Sequence, residues 1–568
     1  MTLARTGNPS VRRYFLSVIA FLFVLLNLPL GAHQNPPASV QKFVARTELV
    51  TVPVIVLSHG KHVTGLPKGD FEIEEDGHPM TLATFEEVGL AQSAKPISPP
   101  PGIYTNEVLS DGPVTMTIIA LDLINTPYLN QEPVKRELLD YLQHSYRADR
   151  PTMLAILSRS GLRVIHDFTN DPQVLETLVR HLKRDGKHDL ESDAVVQKDD
   201  SGTLLQQIDV SAEYEALEKE FFGDPSVTQG KDSFDKFIAD NDRETTLLEL
   251  RQLARGLSSV PGMKSLIWVS GGIVLPRIMD TRSLRLVDEY EETWKLLNAA
   301  TIVVTPIDTV LESSNAAFRD TMHMLPDPSR STHLSLTPEI QRIQNFWDLA
   351  QRTGGDYCLM RRDRHCFQKM SDLTSHYYLL TYYVKPSDRS QWRKIRVKVR
   401  GENLDVKARN GYYSVGLTGD PEERRKRDVA EASQTPVEFR GVPISARWSD
   451  SGGKAEKPSA GTSPFLERRN KRNFQLGIAP GALSIDEADG NHIRLHIVVL
   501  AMNDKGKVLN DLTQQLDLHP TREELQRIRT HGFLYGNEME IPAASTRLRF
   551  IVRDDLSENV GTVSMPVM

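Results

Sequence analysis

Cysteine is nearly absent from this chain: two in 568 residues, too few for a disulfide-framed scaffold or a four-thiolate zinc site. An excess of one charge is missing as well. With 68 basic against 75 acidic side chains the formal net charge is −7, so no global field draws the chain to nucleic acid or to an anionic membrane surface. Gly (35) and Pro (33) stay near average usage, which excludes collagen-like and low-complexity chains. Past residue 34 no apolar run reaches the ~20 residues that a membrane helix needs, and no repeat of solenoid period occurs. Enzyme signatures are lacking too: there is no His-Glu-x-x-His, no Gly-x-Ser-x-Gly, no phosphate loop and no Gly-x-Gly-x-x-Gly after a strand. What is present is a chain with 39% hydrophobic and 25% charged residues, long enough for about three or four globular domains.

Residues 1–34 read as an export signal. Arg5, Arg12 and Arg13 make a positive start, Tyr14 to Leu26 is almost unbroken apolar sequence, and Leu30-Gly31-Ala32 offers small residues for cleavage. An uncleaved anchor is the competing reading, and Arg12-Arg13 resembles the twin-arginine motif although the very apolar stretch fits the general secretory route better. The expected location is extracytoplasmic, periplasmic or secreted, with no membrane span after the signal.

Alternating residues over 48–57, then Phe71 to Glu74 running into Asp76-Gly77, predict a small all-β module over 45–92. A Pro-rich linker follows over 93–112. From Val114 the pattern becomes α/β. Val114 to Leu121, Lys264 to Val269 and Thr301 to Ile307 are continuous apolar strands of the kind buried on both faces of a parallel sheet, interleaved with helical periodicity at Glu132 to Tyr146 and Ile340 to Thr353. The α/β domain is assigned 113–416, with a polar insertion over 184–242 that offers a partner-specific surface. A linker over 417–470, including the charge run Glu422 to Asp428, leads to an immunoglobulin-like β-sandwich over 471–568.

Matching words run from Val63 to Tyr412. They are Val63-Thr64-Gly65-Leu66, Asp70-Phe71, Glu75-Asp76-Gly77, Asp122 with Asn125-Thr126, Phe168-Thr169-Asn170-Asp171, Pro261-Gly262-Met263-Lys264, Trp268-Val269-Ser270-Gly271-Gly272, Thr353-Gly354-Gly355, Tyr378-Leu379-Leu380 with Tyr382, and Ala408-Arg409-Asn410-Gly411-Tyr412. Through them the chain resembles the VWFA-related proteins of the acidobacterial type, which carry a von Willebrand factor A-like domain. The resemblance implies a three-layer, Rossmann-type α/β centre and a role in extracytoplasmic binding of a protein or cell-surface ligand; it points to no reaction, and no catalysis is expected.

The same resemblance implies a metal-ion-dependent adhesion site that takes Mg²⁺ or Mn²⁺ through hard oxygen ligands and completes its shell with a partner carboxylate. Asp122 matches the first aspartate of that site, Thr126 a serine, and Thr169 the second-loop threonine. Two positions depart from the pattern: Ile124 stands where a serine belongs, and Ser270 stands where a third-loop aspartate belongs. Asn125 or Asp171 could compensate through water. The alternative is that Asp122 and Thr126 only satisfy loop N–H groups, leaving a metal-independent assembly scaffold.

Other residues weigh less. Cys358 and Cys366 are close enough in sequence to pair in an oxidising compartment, or remain two thiols. Ser270 before two glycines superficially resembles a hydrolase nucleophile, though the preceding glycine is missing; close packing of Gly271 and Gly272 explains it equally. Asp308 ends another parallel strand, as a cap or a ligand. Tyr377, Tyr378, Tyr382 and Tyr383 form a stacking surface or a packed core.

Overall fold

The structure, a computed structural model, describes residues 48–89, 99–107, 115–182, 228–272, 281–310, 338–384, 391–414, 420–449 and 470–567. The export signal, most of the insertion and parts of both linkers lie outside these residues.

In chain order the strands begin with β1 (Glu48–Ser58), β2 (Lys61–His62), β3 (Phe71–Glu75), β4 (His78–Met80), β5 (Leu82–Val88) and β6 (Ile103–Thr105). The α/β region supplies β7 (Met116–Asp122), α1 (Tyr128–Asp140), β8 (Thr152–Leu157), β9 (Arg163–Thr169), α2 (Pro172–His181), α3 (Thr228–Gly256), β10 (Lys264–Ser270), α4 (Thr281–Ala299), β11 (Ile302–Asp308), α5 (Pro338–Thr353), β12 (Cys358–Leu359) and α6 (Cys366–Leu373). Then come β13 (Tyr377–Val384), β14 (Trp392–Val399), β15 (Leu404–Ala408), β16 (Gly411–Tyr413), α7 (Pro421–Gln434), β17 (Ile444–Trp448) and β18 (Asn470–Ile478). The last elements are β19 (Ile493–Met502), β20 (Val508–Leu518), α8 (Arg522–His531), β21 (Phe533–Ile541), β22 (Arg547–Asp554) and β23 (Val560–Pro566).

The fold is α/β. Its central sheet has the order β12-β11-β10-β7-β8-β9. β7, β8, β10, β11 and β12 run parallel, and β9 is antiparallel to β8. Every residue of β7, β10 and β11 is buried, as continuous apolar strands covered on both faces must be. Leu247, Leu250 and Leu253 of α3, Trp294 of α4 and Phe346 of α5 cover one face. Leu138 of α1, Val179 of α2 and Phe367 of α6 cover the other. The strand order reverses between β7 and β10, and in doubly wound sheets the crevice at the carboxyl ends of such a pair is the favoured ligand position.

Four expected boundaries are corrected. The module expected over 45–92 is half of a larger β-sandwich: β1 pairs with β13 and β15, β5 with β13, and β3 with β14. A segment of that length cannot close two hydrophobic faces by itself, so residues 377–413 complete its core through Tyr378, Leu380, Tyr382 and Ile395. The linker expected over 93–112 contributes β6, an edge strand on β17.

The linker expected over 417–470 holds α7 and β17. The Asp420 carboxylate caps α7, with Pro421 at its first turn, and β17 pairs with β18. The C-terminal body therefore consists of two antiparallel sheets, β21-β18-β17-β6 and β20-β19-β22-β23, around Phe474, Leu495, Val499 and Phe550. α3 also begins at Thr228, so the expected insertion boundary at residue 242 falls inside a helix.

Candidate binding site at the strand ends

Asp122 ends β7 and Ser270 ends β10, and both are fully buried. The Ser270 hydroxyl donates to Asp122 Oδ2 at 2.6 Å. Asn125, three residues into the following loop, donates its backbone N–H to Asp122 Oδ1 at 3.0 Å and its side-chain amide to Oδ2 at 2.8 Å. The Thr126 N–H returns to the Asp122 carbonyl at 3.1 Å. The loop can lie this close only because residue 271 is glycine: a Cβ there would sit 2.1 Å from the Asn125 carbonyl oxygen. The close packing expected of the two glycines is present at both, since a Cβ on Gly272 would meet the Arg342 side chain at 2.4 Å.

The network continues into α3. The Asn125 amide also donates to Thr246 Oγ1 at 2.8 Å, and Thr246 donates to the Asp242 carbonyl at 2.8 Å. The Asp242 carboxylate in turn accepts two hydrogen bonds from Arg159, each 2.9 Å, in the loop after β8. One turn beyond Thr246 lies Glu249, 1% exposed. Neither of its carboxylate oxygens makes a hydrogen bond of good geometry; the Ser158 backbone N–H is the one polar group that eases its charge. Burial first, and then the Asp122 charge, push the Glu249 carboxyl up to about 9. Burial pushes the Asp122 carboxyl up as well, against the pull of its Ser270 and Asn125 hydrogen bonds.

Asp308 ends β11 on the same edge. It accepts from Arg342 Nη2 at 3.2 Å and from the Val310 N–H at 2.9 Å, and burial outweighs Arg342 in raising its carboxyl. It acts as a cap and an ion-pair partner. Thr126 and Asp122 line a cavity of about 30 Å³ together with Gln131 and Lys135, room for about one water.

Of the expected site residues, the structure brings Asp122, Thr126 and Ser270 together and does not bring Thr169. Because β9 runs antiparallel, Thr169 pairs with Thr152 at the opposite edge of the sheet. There its hydroxyl accepts from the Asp171 N–H at 3.1 Å and Asp171 caps α2, so neither residue reaches the rim. Thr246 and Glu249 are what residue patterns missed. Their only trace is polar residues interrupting the apolar stripe of Leu247, Leu250, Leu253 and Leu257.

Cys358 and Cys366 form a disulfide joining β12 to the start of α6. Tyr377, Tyr378 and Tyr382 are fully buried, while Tyr383 is exposed, so the tyrosines pack a core and offer no stacking face. In the C-terminal sandwich His492, Asp517 and His519 form a group able to hold a metal, each offering one ligand atom within 4.8 Å of the others.

Comparison with protein-family models finds no match for the chain, and none is found among curated proteins.

Proposed function

We propose that this is an exported, non-catalytic binding protein of the von Willebrand factor A-like kind, which engages a protein or cell-surface ligand at the carboxyl rim of its central sheet. The observation that carries this reading is the pair Asp122, at the strand-order reversal, and Glu249 on α3: two buried carboxyl groups close enough for the charge of one to act on the other, and one of them without a good hydrogen bond. A buried carboxylate in that state is costly unless a proton or a cation neutralises it.

The donors present suit a hard divalent cation. Carboxylate oxygens of Asp122 and Glu249 and hydroxyls of Ser270, Thr126 and Thr246 are the ligand types that Mg²⁺ or Mn²⁺ takes. Glu249 restores the negative charge that Ser270, standing where the family pattern has aspartate, removes. The bound ion would supply an open coordination position for a carboxylate of the partner. Asp122 and Ser270 would hold it, and the Asn125 amide would turn away.

A second reading has its own support. Asp122 already accepts three protein hydrogen bonds, which favours a metal-independent rim in which Asp122 only orders the loop. Calorimetric titration of the full chain with MgCl₂ and MnCl₂ separates the two. Metal binding that is weakened in Glu249→Gln and lost in Asp122→Asn supports the cation-dependent rim; no heat from the folded wild type retires it. For the metal-independent reading, deletion of residues 184–227 with α3 kept whole should reduce capture of the partner.

A further inference from the structure

The C-terminal sandwich carries a cluster that the strand-end rim does not use. β19 and β20 pair with Ile493 opposite Leu518, so His492 and His519 face each other one step beyond the ladder. Their rings stack at 4.4 Å between centroids, 25° from parallel. Asp517 stands beside both: His492 Nε2 lies 2.6 Å from Asp517 Oδ1, and His519 Nε2 lies 3.8 Å from the same oxygen. The other nitrogen of His492, Nδ1, lies 3.0 Å from the Asp489 carboxylate.

The backbone is shaped to hold this arrangement. Asp486 caps the short turn Glu487–Asp489, and Gly490 and Asn491 both take positive φ, 65° and 62°. That double reversal brings Asp489 back against His492, a residue that is itself 7% exposed. Positive φ at a non-glycine residue has a cost, and here the Asn491 amide is tied across the hairpin to the Pro520 carbonyl at 3.4 Å.

We propose that His492 Nε2, His519 Nε2 and Asp517 bind a divalent transition ion, Zn²⁺ by the chemistry of the donors, with Asp489 fixing the His492 ring. Two imidazoles and a carboxylate are a zinc-type donor set, and Mg²⁺ does not favour the nitrogen ligands. With bonds of about 2.0–2.1 Å, tetrahedral zinc donors stand about 3.3 Å apart, between the two separations observed here. Asp517 and His519 are exposed, so shifts of a few tenths of an ångström are open to them. A metal-bound histidine commonly presents its second nitrogen to a carboxylate, which is the place Asp489 occupies. Three protein ligands leave one position for water or an external donor, and His519 also lines a pocket of about 500 Å³ with Arg527, His531 and Leu534.

The test is calorimetric titration of the tag-free full chain with ZnCl₂. One ion per chain should bind with a Kd below about 100 µM. His519→Ala, at an exposed position that leaves the fold intact by circular dichroism, should weaken binding at least about tenfold. Asp489→Asn, which removes no ligand, should weaken it by about 10- to 100-fold. A wild-type Kd above about 100 µM, or equal affinity in wild type and His519→Ala, overturns the assignment. Because these residues lie on a different sheet from Asp122, loss of Zn²⁺ binding here and loss of Mg²⁺ binding at the strand ends are separate results.

Discussion

The Ser270 hydroxyl donates to the Asp122 carboxylate across 2.6 Å, joining the tips of two adjacent parallel strands at the point where the strand order of the central sheet reverses. Around that bond the loop after β7 and helix α3 arrange their polar groups.

Ser270→Ala leaves a buried carboxylate oxygen short of one donor and the Gly272 N–H, which bonds Ser270 Oγ at 2.8 Å, short of its acceptor. Urea denaturation should show a loss of about 1–3 kcal/mol. Gly271→Ala should cost more, since its Cβ meets the Asn125 carbonyl oxygen at 2.1 Å and the loop must move away from Asp122. Stabilities equal to wild type in both variants would mean that the network does not hold the loop.

Glu249 and Lys264 carry opposite pH signatures. Burial holds the Glu249 carboxyl at about 9 against an ordinary 4.5. In the folded state it keeps a proton that the unfolded chain has released. Its contribution is present in full below the ordinary value and is lost as pH rises through the folded one, by at most about 1.4 kcal/mol per pH unit.

Lys264, fully buried in β10 with its ammonium on the Val260 carbonyl, is lowered by burial to about 7 from 10.5. Its folded form sheds a proton that the unfolded form keeps, so stability rises with pH over that window. The two slopes oppose each other between these folded values. Wild-type stability should be nearly flat from pH 7 to 9, rise in Glu249→Gln and fall in Lys264→Met. Parallel denaturation profiles for the three proteins would reject both assignments.

The Cys358–Cys366 disulfide closes a short loop, with a sequence separation of 8. On the loop-entropy relation its removal should cost about 2.5 kcal/mol. Denaturation midpoints with and without dithiothreitol measure this, with Cys358→Ala/Cys366→Ala as the thiol-free control. A midpoint unmoved by the reductant in wild type would show that the pair contributes nothing.

Asn106 tests whether β6 belongs to the C-terminal sandwich. Its side chain is 2% exposed. The amide donates to the Phe439 and Val442 carbonyls at 2.7 and 2.9 Å, and its oxygen accepts from the Ile444 N–H at 2.8 Å. Asn106→Ala strands all three backbone groups and should destabilise the sandwich by about 2–4 kcal/mol. Hydrogen exchange of β17 would accelerate selectively; unchanged protection there would contradict the role.

Much of the α/β body was legible along the chain. The apolar runs of β7, β10 and β11 predicted buried parallel strands because a strand covered on both faces has no polar side to show. Asp122 and Ser270 were reached through the family resemblance, and they prove to be the residues that end two of those runs. The helix at Pro421–Gln434 was missed: Asp420, Pro421, Glu422 and Glu423 are cap signals, but the surrounding run of charge read as a linker. Thr169 was misplaced because strand direction is not written in local periodicity: β9 reads as a strand in either direction, and only its pairing with β8 sends its end to the far edge.

Amino-acid order by itself settled the alternation of strands and helices, the continuous burial of the central strands and the chemistry of their tips, all of which depend on neighbours a few residues apart. Tertiary structure alone decided that residues 48–88 and 377–413 share one core, that β6 joins strands more than 300 residues later, and that Glu249 on α3 is buried within reach of the Asp122 charge. Those facts depend on which distant surfaces bury each other, and burial energy follows area removed from water whatever the separation along the chain.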